Sequence, residues 1–408
     1  MAAIAEERPG PLADYPTTPG RGTPGEVLAA FARLGVSCFG GPIAHLGYFR
    51  AEFVERRGWL DERAYADLVG LCQFLPGPAS SQTGFALGLI RAGPLGALAA
   101  WTGFTLPSAL LLVLFAYGAP GLDATRWGIG LLHGLKVVAV AIVAQAVWGM
   151  ARNLCPDRPR SSIAVLAAIL VLFVPASVGQ IAAILLGALA GLALCRGGPE
   201  AVPERLRLPV SRGAGLVCLA LFALLLALAF LPAGGLAGLW GAFYRSGALV
   251  FGGGHVVLPL LQDAVMRPGL VGDRAFLAGY GAAQAMPGPL FTFAAYLGAV
   301  ARGLPGAAIA LVAIFLPGLL LLVGTLPFWD ALRARPRMLA ALRGVNAAVV
   351  GLLGAALYDP VWTSAVHGRA DFAIALAGFV LLMAWRAPPL LAVILAASAG
   401  AVLAVAAG

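Results

Sequence analysis

Charge is what this 408-residue chain has least of: Asp, Glu, Lys and Arg make up 11% of it, against 61% hydrophobic residues. A soluble domain is about a quarter charged and about half apolar. With a mean hydropathy of +0.91, that shortage excludes a water-soluble globular protein, because soluble cores could not bury so much apolar surface. Lysine is nearly missing. Lys136 is the single one, and the other 26 basic residues are arginine. No basic cluster is interleaved with aromatics on a polar segment, which argues against nucleic-acid binding. The net charge of +9 reads instead as arginine placed in short loops, the pattern that orients membrane proteins. Five cysteines without CxxC or CxxH spacing argue against a disulfide framework or a zinc site. The histidines His45, His133, His255 and His367 are too scattered for a metal centre. No Walker, Gly-x-Ser-x-Gly or HExxH motif occurs, so ATP drive and intramembrane hydrolysis lack their signatures. The chain is expected to be no enzyme and to need no cofactor. Carboxylates are missing from the strongest apolar runs, which argues against a metal-cation pump.

What is present is apolar and repeatedly broken. Membrane spans need about 20 apolar residues, and good candidates are Leu95–Tyr117, Trp127–Met150, Gly213–Leu231, Leu304–Pro327, Leu342–Leu357 and Leu390–Ala407. Around them lie pieces too short to span, such as Val27–Phe39 and Ala64–Leu75, which end at Gly40-Gly41-Pro42 and Pro76-Gly77-Pro78. They read as half-helices or re-entrant hairpins. Residues 1–25, rich in Pro and Gly without an apolar run, read as a disordered cytoplasmic lead and not a signal peptide.

The chain repeats itself. Phe31-x-Arg33-x-Gly35 followed by Phe39-Gly40-Gly41 returns as Phe243-x-Arg245-x-Gly247 followed by Phe251-Gly252-Gly253. Gln73 before Pro76-Gly77-Pro78 returns as Gln284 before Pro287-Gly288-Pro289, and Leu106-Pro107 as Leu316-Pro317. The offsets stay at 210 to 212 residues. This divides the chain into a first transmembrane repeat (26–196), a linker with one extra helix (197–237) and a second repeat (238–408). Equivalent loops carry opposite charge bias. Arg152–Arg160 has three arginines and one Asp, whereas Asp359–Asp371 has two Asp and one Arg. Equivalent loops therefore prefer opposite sides of the membrane, and the fold expected is an all-α polytopic membrane protein of two inverted repeats. That is a recurring architecture of secondary transporters, with the site near the midplane where the copies meet.

Candidate site residues follow from the breaks. A Pro-Gly-Pro turn leaves free amides at the start of the next half-helix, where amides and dipole attract anions. After Pro76-Gly77-Pro78 come Ser80 and Ser81; after Pro287-Gly288-Pro289 the only hydroxyl close by is Thr292. The two sites should be unequal, the first better suited to an oxyanion. One isolated break reads as a packing kink, but paired breaks at matching positions read as functional. Gly40-Gly41 and Gly252-Gly253 allow close approach to a ligand and equally allow tight helix crossing. Arg33 and Arg245, costly inside an apolar stretch by about 2.5–3.5 kcal/mol at a helix centre, could grip a tetrahedral anion or snorkel to the interface. His255 could be a proton-linked switch or a simple hydrogen-bonding group. Lys136, opposite Asn346 in the repeat, suits an anion path. Gln73 and Gln284 could donate to a ligand or cap backbone.

The paired Phe-Gly-Gly and Pro-Gly-Pro motifs resemble the chromate ion transporter family in its long, two-domain form, over nearly the whole chain after residue 25. The resemblance implies a multi-pass inner-membrane protein, surrounded by lipid, that exports chromate and confers resistance, with sulfate as the isosteric competitor. Two departures stand out: Pro42 faces Gly254, and Ser80-Ser81 is not repeated. The resulting expectation is a secondary exporter, an antiporter working by alternating access, with a homodimer left open. A passive oxyanion channel or a sulfate-type transporter are the alternatives. An intramembrane enzyme or lipid flippase is the reading from a different class.

Overall fold

The computed structural model describes residues 22–38, 41–122, 125–174, 176–195, 210–250, 257–329 and 335–406. All regular structure among them is helical. The N-terminal half runs through α1 (Pro24–Ser37), α2 (Gly41–Phe49, continued by a π-helical stretch Arg50–Arg56), α3 (Glu62–Phe74), α4 (Ala79–Leu122), α5 (Arg126–Leu154), α6 (Arg158–Phe173) and α7 (Ala176–Leu194). A single helix, α8 (Arg212–Ala229), follows. The C-terminal half comprises α9 (Gly235–Ala248), α10 (Val257–Val265), α11 (Asp273–Ala285), a 3-10 turn (Leu290–Thr292) leading into α12 (Phe293–Thr325), α13 (Pro336–Ala356), α14 (Arg369–Met383) and α15 (Pro389–Ala406).

Local sequence sets many of these boundaries. Side chains of Thr23, Asp61, Thr125, Asp157 and Ser211 accept from backbone amides in the first turns of α1, α3, α5, α6 and α8, satisfying donors that a helix start leaves free. At the α6 loop Asp157 also takes the Arg160 guanidinium at 2.5 Å. That hydrogen bond holds its carboxyl below the usual carboxylate range.

Among the described residues, six helical segments are long and apolar enough to cross a membrane: Ala79–Gly118, Arg126–Leu154, Arg212–Ala229, Leu290–Phe328, Pro336–Asp359 and Pro389–Ala406. Each contains or largely overlaps one of the six runs expected from sequence. The protein is therefore an all-α, multi-pass membrane protein. Leucines such as Leu110, Leu114, Leu216 and Leu224 are exposed on these helices, as lipid-facing positions should be, since lipid tails solvate them as well as a core does.

Two of the long helices are broken at matching places. In α4 the chain leaves helical geometry at Ala92 (φ −139°, ψ 22°) and Gly93 (φ 67°, ψ −160°); in α12 it does so at Arg302 (φ −148°, ψ 23°) and Gly303 (φ 66°, ψ −158°). The positive φ is affordable at Gly93 and Gly303 because neither carries a Cβ. Packing then interlocks the halves. Within each half, α1 lies on α4 and α9 on α12. The other helices exchange partners: α5 packs against α14 and α15 of the C-terminal half, while α13 packs against α6 and α7 of the N-terminal half. One buried cluster, with Phe31, Phe49, Phe53 and Phe104, is built mainly from the N-terminal half and is completed by Leu322, Leu326 and Trp329 of the C-terminal half. The larger one runs through both halves.

Candidate functional site

The two Pro-Gly-Pro turns meet the opposite half of the molecule through backbone. The Gly77 amide donates to the Val250 carbonyl at 2.7 Å, and the Gly288 amide donates to the Cys38 carbonyl at 2.8 Å. These are reciprocal bonds, because Gly77 corresponds to Gly288 and Cys38 to Val250 in the repeat. Both turn glycines have left-handed backbone, φ 125° and 94°. Both are also crowded: a Cβ on Gly77 would sit 2.9 Å from the Gly318 Cα, and one on Gly288 would sit 3.0 Å from the Ser108 Oγ. Glycine is required there twice over, by dihedral and by space. Pro76, Pro78, Pro287 and Pro289 flank these contacts and stop the preceding helices, α3 and α11.

The helices that follow the turns start differently. In α4 the first helical bond runs from the Gln82 amide to the Pro78 carbonyl, so the amides of Ala79, Ser80 and Ser81 precede any intrahelical acceptor. Ser80 and Ser81 are buried, at 3% and 2% exposure. Ser80 Oγ lies 3.4 Å from His45 Nδ1, whereas Ser81 Oγ is enclosed without a hydrogen-bond partner. In the C-terminal half the chain tightens into a 3-10 turn. The Thr292 amide and hydroxyl both go to the Pro289 carbonyl, the hydroxyl at 2.7 Å. Ser81 and Thr292 are repeat equivalents, yet one is free and the other is tied to its own turn.

Further unpartnered polar atoms belong to the same region, His45 Nε2 and Gln82 Oε1, on side chains at most 1% exposed; Thr105 Oγ1 on α4 is likewise buried without a partner. The His45 ring packs edge-on against Phe104, with centroids 5.2 Å apart, and the Phe104 carbonyl faces Gly288. His45 therefore lies between the first turn's helix and the second turn. Burying polar atoms without partners costs about 1–3 kcal/mol each, which makes these atoms candidates for contact with a ligand. A small cavity of about 20 Å³ lies at the second turn, lined by Gly41, Gln284, Gly288 and Met286 among others, with room for about one water. Gln284 is half-buried and its Nε2 is unpartnered, while its side chain also bonds the Tyr280 hydroxyl.

Other residues expected at the site lie elsewhere. Gln73 and Arg33 are exposed. Arg245 donates to the Ala229 carbonyl and stacks over Phe230 at 5.5 Å, closing the end of α8. Lys136 is buried on α5, where the charges acting on it are Arg274, Asp273 and Asp371. Beside it His133 Nε2 meets Asp371 at 2.8 Å. Gly40, Gly252, Gly253 and His255 fall outside the described residues. His45 is the contributor that motif reasoning missed. The signal was available in the repeat, which sets His45 against Val257 inside otherwise apolar pieces. A second, larger cavity of about 660 Å³ opens beside α6, α10 and α13 and is lined by Asp263, Asp273, Asp359 and Arg267. Its carboxylates suit it poorly to an anion. Among the described residues no three His, Cys, Asp or Glu side chains group as metal ligands.

Comparison with known proteins places this geometry in a lineage. The family model for "Chromate transporter" matches residues 25–192 and again 237–401. The chain is 28% identical to the probable chromate transport protein of Synechococcus elongatus, covering 91% of this chain and 93% of that one. It is 29% identical to the chromate transport protein of Pseudomonas aeruginosa, over 88% and 87%. With the chromate transport protein of Cupriavidus metallidurans it shares 26% identity over 81% of each. No solved structure matches it.

Proposed function

Because the chain belongs to the chromate transporter family, whose members are membrane transporters and not enzymes, we propose that it exports chromate across the bacterial inner membrane and so confers chromate resistance. The two repeats would be inserted in opposite orientations and alternate access to one oxyanion site. The site proposed is the first turn of α4, with the Ala79, Ser80 and Ser81 amides, the Ser81 hydroxyl and the glycine breaks supplying donors. The observation that carries this reading is the free Ser81 hydroxyl at a helix start, buried with no partner. A helix N-terminus with unused donors is an anion site. Thr292, spent on Pro289, leaves the second turn without that capacity.

Drive for export is available without ATP. Moving one negative charge out of a cell that is negative inside releases about 2.3 kcal/mol per 100 mV. A passive channel would use the same gradient, and flux measurement separates the two. The test is expression in a chromate-sensitive host together with flux in proteoliposomes. Lower cellular chromate and saturable flux are expected. Unchanged accumulation would remove the reading, and flux linear in concentration would replace the transporter with a channel.

A further inference from the structure

An anion at the first turn of α4 needs a counter-charge, and few groups can supply one. Among the described residues, the buried side chains able to carry positive charge are His45 and Lys136. Lys136 is engaged with Asp273, Arg274 and Asp371. Arg33 is exposed, and Arg245 holds the Ala229 carbonyl. The cost of taking an ion out of water rises with the square of its charge. A helix start answers with only about half an elementary charge, which leaves most of an oxyanion's charge uncompensated.

His45 is the group placed to make up the difference. Its side chain is 1% exposed, and Nδ1 lies 3.4 Å from the Ser80 hydroxyl in the first turn of α4. The Cys38 carbonyl acts on the same ring, and that carbonyl accepts from the Gly288 amide of the second turn. The ring therefore touches one turn and neighbours the bond that ties down the other. Nε2 has no partner. A neutral imidazole offers one N–H, whereas a protonated one offers two and a full charge.

Nothing around the ring stabilises that charge in the absence of a ligand. From α4 it meets Ser80 and Phe104. The titratable groups on the other elements around α2 are Cys38 at the end of α1 and Tyr65 and Cys72 of α3, and Tyr65 donates to the Leu46 carbonyl at 2.6 Å. In the stretch that continues α2, Arg50 pairs with Glu55 and Glu62, and Glu52 with Arg56 and Arg57. Among the described residues no carboxylate pairs with His45, so the buried ring without a ligand is neutral.

We propose that His45 is the counter-charge of the anion site, taking a proton from water as the oxyanion binds at the first turn of α4 and returning it when the anion leaves. This rests on the oxyanion reading given above. One N–H bond forms and breaks, and no bond of the anion changes. Anion and proton each raise the affinity for the other by the same factor. Because the attraction is to charge, chromate and sulfate are served alike. Val257 stands in the place of His45 in the second repeat, so one turn gains this charge and the other does not.

The test is calorimetry on the full chain in detergent, with sulfate as the probe, in buffers of different ionisation enthalpy from mildly acidic to mildly alkaline pH. Sulfate exchanges no proton of its own near neutrality, so the protons counted belong to the protein. About one proton should enter per sulfate bound, and where it does, affinity should fall about tenfold per pH unit as pH rises. His45→Gln should bind sulfate about tenfold more weakly at neutral pH, with no proton taken up and no pH slope. Ser80→Ala removes the hydroxyl beside the ring and should move the pH at which uptake fades, which reads the assignment even if the glutamine variant does not fold. Binding without proton uptake, uptake that survives His45→Gln, an unmoved midpoint in Ser80→Ala, or binding of chromate without sulfate would each overturn the proposal. Failure of both sulfate and chromate to bind would sink the oxyanion reading itself.

Discussion

At the scale of single residues, Ser81 and Thr292 occupy the same place in two copies of one motif and have opposite tasks. Removing the Ser81 hydroxyl deletes a donor available to the ligand, worth about 1–1.5 kcal/mol. Ser81→Ala should therefore lower chromate export roughly tenfold, read as a raised KM in vesicles, while the folded yield stays normal. Thr292→Ala deletes a bond internal to the turn. It should lower the melting temperature in detergent and leave KM alone. Arg245→Ala should behave like Thr292→Ala, because it strands the Ala229 carbonyl near the end of α8 at a cost of about 1–3 kcal/mol. A changed KM in that variant would return Arg245 to the binding site.

At the scale of elements, the broken helices are where sequence and structure agree most closely. Runs of apolar residues located the six membrane-length helices found among the described residues, because long runs with at most one charge have few other fates. Pro-Gly-Pro located the turns, because proline ends a helix whatever surrounds it. What could not be read was direction and partnership. An arginine at a matched position looks the same whether it is exposed, as Arg33 is, or caps a neighbouring helix, as Arg245 does. A repeat reveals which residues are alike, not that Gly77 reaches Val250 while Gly288 reaches Cys38. The site's polar content was half legible for the same reason: Ser80 and Ser81 stood out beside a motif, whereas His45 joins them only through folding. The matched kinks carry their own prediction. Gly93→Ala and Gly303→Ala each force a side chain into left-handed backbone, costing about 1–3 kcal/mol. Both should reduce folded yield by similar amounts, judged by size-exclusion recovery; a large loss in only one would mean the two kinks do not bear equal load.

At the scale of the whole molecule, the halves are joined by exchange of partners rather than by contact between finished units. Helix α5 completes its packing on α14 and α15, and α13 completes its own on α6 and α7. During synthesis the N-terminal helices therefore enter the bilayer with apolar stripes and small-residue seams still open, and they wait for partners made last. An interrupted chain should then be seen by quality-control proteases as an orphan subunit. Residues 1–209 or 210–408 produced alone should turn over quickly, whereas both produced together should protect each other and restore chromate export. Stable accumulation of either piece by itself would show that the exchanged packing is dispensable. A single polypeptide of this kind has the assembly logic of an obligate dimer, and the connecting segment acts by keeping the two partners at high effective concentration.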